Sequence, residues 1–204
     1  MNWAQFFFGQ PVDGANAVTI MKEMTYQARV IIEGVKPEID DGRFPIKRVI
    51  GERVGVEADI FADGHDVISA LLLYREENDT KWVEAPMERL GNDRWSGSFA
   101  VTKLGRYRYT VLAWVDYFKS WQQDLAKRVQ AGQEVAVELL VGAQLIMEAS
   151  RGTSKSASQK TGKWASTLQS KQIKEQVKVQ LALGAELSEF MDKYPDRRFA
   201  TTYP

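Results

Sequence analysis

The sequence predicts a mainly β protein with an α-helical second half: an immunoglobulin-like antiparallel β-sandwich followed by a helical segment. Three observations carry this reading. Apolar and polar residues alternate from Arg53 onward, as a half-buried strand demands. Turn residues then recur at intervals of roughly ten residues, the rhythm of a sandwich. After Tyr117 the apolar spacing lengthens to that of a helix. With 204 residues, 44% hydrophobic and 26% charged, the chain is long enough for a folded domain with an appendage or for two small domains.

Residues 1–25 follow neither period, and Pro11, Asp13 and Gly14 read as loop, so a poorly ordered leader is expected there. Its three adjacent phenylalanines, Phe6 to Phe8, lack the basic flank and sustained apolar run of an export signal. The sandwich is expected over 26–117. Ala28 to Glu33 reads as a short first strand, and Gly34, Pro37, Asp40, Asp41, Gly42 and Pro45 as the loop after it. In the next strand Val54, Val56, Ala58 and Ile60 share one face, and Asp63-Gly64-His65-Asp66 ends it. Val67 to Tyr74 is a nearly continuous apolar run, hence a central strand, and Arg75 to Asp79 an exposed hairpin loop. Trp82 and Val83 begin the return strand, and Gly91-Asn92-Asp93 is a further turn. Trp95, Gly97 and Phe99 alternate, and Tyr107, Tyr109, Val111, Ala113 and Val115 line the last and longest strand.

Helices are expected over 118–195. Phe118, Trp121, Leu125 and Val129 make the first apolar stripe, stopped by Gly132. Val135, Leu139, Ala143, Ile146 and Met147 make the second, ending near Gly152. Arg151 to Lys163, rich in Ser, Thr, Lys and Gly, reads as a flexible link. Trp164, Leu168, Ile173, Val177, Leu181, Leu187, Phe190 and Met191 then suggest one long helix or two shorter ones interrupted near Gly184, with Pro195 as the stop. Residues 196–204 carry no periodic signal and read as a linker toward a missing domain.

Composition excludes much chemistry. Lys plus Arg equals Asp plus Glu at 27 each, so no bulk charge favours nucleic acid or an anionic membrane. Without cysteine there is no disulfide, thiolate metal site or Cys nucleophile, which fits the cytoplasm. No run of about 18 apolar residues exists to span a bilayer. His65 lies among Asp59, Asp63 and Asp66, residue types that ligate metals, but Asp-Gly-His-Asp is the composition of a tight turn. No Gly-x-Ser-x-Gly elbow or Gly-x-Gly-x-x-Gly turn occurs, and Gly162-Lys163 is followed by Trp164 rather than the Ser or Thr of a phosphate loop. No catalytic residue, metal site or cofactor is therefore expected. Trp82 and Trp95, near turns, are candidates for stacking on sugar rings. Trp114, Phe118, Trp121 and Leu125, with Trp164, Leu187 and Phe190 on the tail, are candidates for an assembly interface, because the apolar positions are numerous for a tail on a small sandwich.

Several stretches carry a family resemblance: Arg29-Val30-Ile31-Ile32-Glu33-Gly34-Val35-Lys36-Pro37-Glu38-Ile39-Asp40, Gly42-Arg43-Phe44-Pro45-Ile46-Lys47-Arg48, Gly51-Glu52-Arg53, Ala58 to Asp66 and Leu90 to Asp116. They resemble the N-terminal part of α-1,4-glucan:maltose-1-phosphate maltosyltransferases, of the α-amylase superfamily. The resemblance runs from about Tyr26 through Leu140 and returns at Tyr194-Pro195-Asp196-Arg197-Arg198-Phe199-Ala200-Thr201; residues 1–23 lie outside it and Arg151 to Lys163 match it poorly. It implies an immunoglobulin-like N-terminal domain with following helices, and a catalytic (β/α)8 barrel afterwards that holds the nucleophile and acid carboxylates. No catalytic residue carries over to this chain. The family transfers maltosyl from maltose 1-phosphate to an α-1,4-glucan with retention and no metal cofactor, and its N-terminal domain is implicated in homodimer assembly. The expectation is a non-catalytic assembly or scaffold module, homodimeric and partnered by the missing barrel; the alternative is a stand-alone α-glucan-binding module.

Overall fold

Alternation builds two antiparallel sheets packed face to face. In the computed structural model, which describes residues 29–40, 42–151 and 153–204, the first sheet has the order β1-β2-β6-β5: β1 (Val30–Lys36), β2 (Arg53–Ala62), β6 (Arg94–Ala100) and β5 (Glu88–Gly91). The second has the order β4-β3-β7-β8: β4 (Val83–Pro86), β3 (Ile68–Glu76), β7 (Tyr107–Val115) and β8 (Thr201–Thr202). The expected leader, together with residues 26–28, Asp41 and Gly152, lies outside the described residues. Val54, Val56, Ala58 and Ile60 of β2 point inward as their spacing requires, and pack in one core with Leu72, Trp95, Phe99, Val111 and Ala113.

Three parts of the sheets differ from the sequence reading. Gly34 does not end β1. It takes a positive φ of 59° while the pairing with β2 shifts between Glu33 and Lys36, a bulge that lets the strand continue and bury Val35. The return strand after Trp82 is two strands in different sheets, β4 against β3 and β5 against β6. Met87 stands between them, buried, with its N–H donating to Ala70 O at 3.1 Å. Residues 196–204, read as a linker, supply β8, which pairs Thr201 with Ala113 and Thr202 with Leu112; two residues are too short to show a period.

The helices are α1 (Tyr117–Gln130), α2 (Ala136–Ala149), α3 (Lys155–Gln169), α4 (Glu175–Ala182) and α5 (Ala185–Lys193). α1 buries Phe118, Trp121 and Leu125 but leaves Val129 exposed, and α2 buries Leu139, Ala143 and Ile146 but leaves Met147 exposed. The expected flexible link is the first half of α3. Ser154 caps it by accepting from Ala157 N at 3.3 Å, and Ala157, Thr161, Trp164, Ala165 and Leu168 form its buried face. Polar composition misleads here because packing of one face, not propensity, holds the helix. Its Ser and Lys residues occupy the other face. The break at Gly184 is where the spacing places it, and a further break at 170–174 separates α3 from α4.

Trp121 is the centre of the helical core. Its indole N–H donates to Glu138 O at 2.7 Å, and its ring lies over Gly142, where an added Cβ would overlap the indole. Gly142→Ala is therefore expected to destabilise by about 1–3 kcal/mol through overpacking, although Gly to Ala in a helix ordinarily gains up to about 1 kcal/mol. Trp121→Ala should cost about 3–5 kcal/mol. Urea unfolding of both variants checks this, and a stabilised Gly142→Ala would show that the ring is not seated there.

Candidate functional site

The helices leave the sandwich at Asp116. Its backbone N–H donates to Val67 O at 2.7 Å, continuing the ladder of β7, while its carboxylate accepts from Lys119 N at 3.0 Å and caps α1. The same carboxylate accepts from Ser69 Oγ at 2.8 Å, and Lys119 Nζ reaches Asp192 of α5 at 2.9 Å. Burial pulls the Lys119 ammonium down, but Asp192 and Asp116 outweigh it and hold its pKa above the ordinary lysine value.

Below α5 the chain returns to the sandwich as a strap. Arg197 forks onto Glu84 of β4 at 2.6 and 2.9 Å, and its guanidinium lies 5.0 Å from the Trp114 ring centre. Arg198 pairs with Asp196 at 2.5 Å and reaches Glu148 of α2 at 3.3 Å. Thr201 Oγ1 then donates to Val30 O at 2.8 Å, and Tyr203 N to Val111 O at 2.9 Å. Hydrogen bonds from Arg197 hold the Glu84 carboxyl below its usual range against partial burial. Burial pushes the Asp196 carboxyl up, and the bonds and charge of Arg198 outweigh it, so it too sits below the usual range.

Between this strap and the outer face of β3 runs an open groove of about 440 Å³, lined among others by Leu71, Pro86, Trp114, Lys119, Asp192 and Arg197. Its ionised groups are paired, Lys119 with Asp116 and Asp192 inside the groove and Arg197 with Glu84 beside it. The carboxylates near His65 face arginines, Asp63 and Asp66 meeting Arg29 at 2.7 and 2.9 Å, and Asp59 meeting Arg94 at 3.0 Å.

The residues singled out from the sequence fall into three groups. Phe118, Trp121, Leu125, Trp164 and Leu187 are buried together in the helical core, and half-buried Phe190 edges Trp164 with ring centres 5.2 Å apart. Trp114 is buried beneath Arg197. All of these pack within the chain, because an apolar stripe meets its nearest partner first. Trp95 is corrected as a sugar platform: it is 7% exposed, with its indole N–H on Ile60 O at 3.2 Å, inside the sandwich. Trp82 alone keeps an open ring, 40% exposed, with the Arg75 guanidinium 4.7 Å from its centre.

A surface the sequence reading missed lies on α2. Val137, Leu140 and Met147 are 60%, 48% and 47% exposed, while Leu139 and Ile146 of the same helix are buried. The signal was in the sequence, since Ala136 to Ala149 is apolar nearly all round, the pattern of a helix covered on every side.

Comparison with known proteins places residues 28–204 within the family model described as α-1,4-glucan:maltose-1-phosphate maltosyltransferase, domain N/S. Three relatives bear the name α-1,4-glucan:maltose-1-phosphate maltosyltransferase. That of Myxococcus xanthus is 41% identical over 85% of this chain and 27% of its own length. That of Chlorobaculum tepidum is 52% identical over 58% of this chain and 18% of its own. That of Methylacidiphilum infernorum is 38% identical over 83% and 25%. The chain thus spans about a quarter or less of the relatives it matches. No helix of the described residues is long and apolar enough to cross a membrane.

The strap has a pH signature. Glu84 and Asp196 titrate below the ordinary carboxylate value of about 4. The stability they contribute is whole above that value and is lost as pH falls through their depressed pKa values. Arg197→Met with Arg198→Met is expected to lower stability at neutral pH and flatten its decline between about pH 5 and pH 2. Urea midpoints measured against pH check this; an unchanged slope would mean that the strap carboxylates titrate alike folded and unfolded.

Proposed function

The chain belongs to the family of α-1,4-glucan:maltose-1-phosphate maltosyltransferase domains N/S, and we propose that it is the non-catalytic assembly and scaffold portion of a cytoplasmic enzyme that extends α-1,4-glucan from maltose 1-phosphate. In this reading the catalytic barrel belongs to the part of the relatives that the chain does not match, and this module holds it and joins two copies. The observation that carries the assembly role is the exposed apolar face of α2. A second copy of the same face, related by a two-fold axis, satisfies it in the isologous manner of most homodimers. The residues of the helical core serve this role indirectly: Trp121 seats α2 through Glu138 and Gly142 and so fixes where the face points.

Light scattering over a concentration series is expected to give a dimer mass. Leu140→Asp with Met147→Asp should shift it to monomer, the loss of a central apolar anchor costing about 2 kcal/mol or more, with the melting temperature of the monomer preserved. A wild-type chain that stays monomeric throughout counts against this face.

A second reading, α-glucan binding, draws support from Trp82, whose ring is half-covered by Arg75 and otherwise open. Titration with maltoheptaose should then change the tryptophan fluorescence of the wild type and not of Trp82→Ala. A flat wild-type titration at millimolar sugar removes that reading.

A further inference from the structure

The exposed side chains of α2 have the spacing of a helix seam. Val137, Leu140, Gln144 and Met147 stand at i, i+3, i+7 and i+10, one stripe along a helix and the a and d rhythm of a two-stranded pair. Val137, Leu140 and Met147 are the exposed apolar groups of the helix. Gln144 interrupts them, and its amide is engaged within α2: Nε2 donates to Glu148 Oε1 at 2.9 Å. The stripe is symmetric about Gly142, with Val137 and Met147 equally far from it along the chain, and Leu140 and Gln144 equally near.

The two ends of α2 carry opposite charges. Glu134 stands just before the first turn and Arg151 just after the last, both exposed. The charged residues inside the helix are paired within the chain, Glu138 with Arg128 at 3.2 Å and Glu148 with Arg198 at 3.3 Å. Glu134 and Arg151 meet no opposite charge among the described residues.

We propose that α2 pairs with α2 of a second copy in antiparallel orientation, about a two-fold axis passing beside Gly142. The inference rests on the assembly reading above and gives it an orientation and a register. An antiparallel seam sets a against d, so Val137 meets Met147 of the second copy and Leu140 meets Gln144 of the second copy. The same register brings Glu134 level with Arg151 of the second copy, and the two-fold repeats that contact at the other end. A parallel pair would instead set Glu134 against Glu134 and Arg151 against Arg151, like charges at both ends. The unpaired charges thus select the antiparallel partner, and the apolar groups hold it.

The chain has no cysteine, so one introduced thiol reports what it faces. Val137→Cys and Met147→Cys are made separately, and each alone and their mixture are oxidised with copper phenanthroline. The mixture is expected to give a disulfide-linked dimer and neither variant alone. In this register like residues lie about 15 Å apart along the helix axis, whereas a disulfide joins Cα atoms no more than about 7 Å apart. Glu134→Arg should raise the dimer dissociation constant about tenfold in light scattering, and adding Arg151→Glu should restore it. All four side chains are exposed, so the melting temperature of each variant's monomer should hold. Either cysteine variant linking to itself, a dimer whose mixture does not link, or a charge exchange that fails to restore affinity overturns the proposal while the assembly reading stands. A wild-type chain that is monomeric at every concentration removes that reading, and this pairing with it.

Discussion

The carboxylate of Asp116 decides where the helices leave the sandwich. It is 9% exposed and accepts from Ser69 on β3 and from the first turn of α1, so one side chain fixes both the end of a strand and the direction of a helix. Lys119 extends the link to Asp192 on α5. Removing the carboxylate would take the acceptor from a half-buried hydroxyl and from the first turn of a helix at once. Strand, helix start and last helix are held as one unit, and the direction of the exposed face of α2 follows from where α1 is set.

The same economy closes the sandwich. A small two-sheet structure has open flanks at its edge strands, which invite pairing with other chains. On one flank the chain crosses from β4 to β5 through buried Met87. On the other, β8 covers part of β7, Thr201 reaches Val30 across the gap, and the Tyr109 hydroxyl donates to Pro37 O. With the flanks laced, the apolar side chains exposed on α2 and the ring of Trp82 lie away from the edge strands.

The strands with one wet face were legible from alternation, as β2, β6 and β7 show, because a period of two has no competing interpretation over that length. The turn at Asn92 and Asp93 was legible because both residues take positive φ, at 45° and 63°. What escaped was set by tertiary context. Met87 looks like any apolar residue in a strand, Gly34 like any turn glycine, and Ser154 to Lys163 like a linker until its small buried residues meet α2. For the candidate site, Trp121 and Trp164 were read as candidates for an assembly interface, and the fold packs both into the helical core. The face of α2 escaped because a search for one apolar stripe passes over a helix whose only polar side chains are Glu138, Gln144 and Glu148.

Thr201 completes a sandwich whose neighbouring strand ended at Val115, with all five helices between them. The helical bundle is thus an insertion within the sandwich, and the two cannot be separated by a cut after residue 117 without removing a strand. During synthesis at roughly 5–20 residues per second, the free side of β7 waits several seconds for its partner to emerge. Nascent-chain surveillance by chaperones has its clearest opening in that interval, and a ribosome stall anywhere in the helices prolongs it.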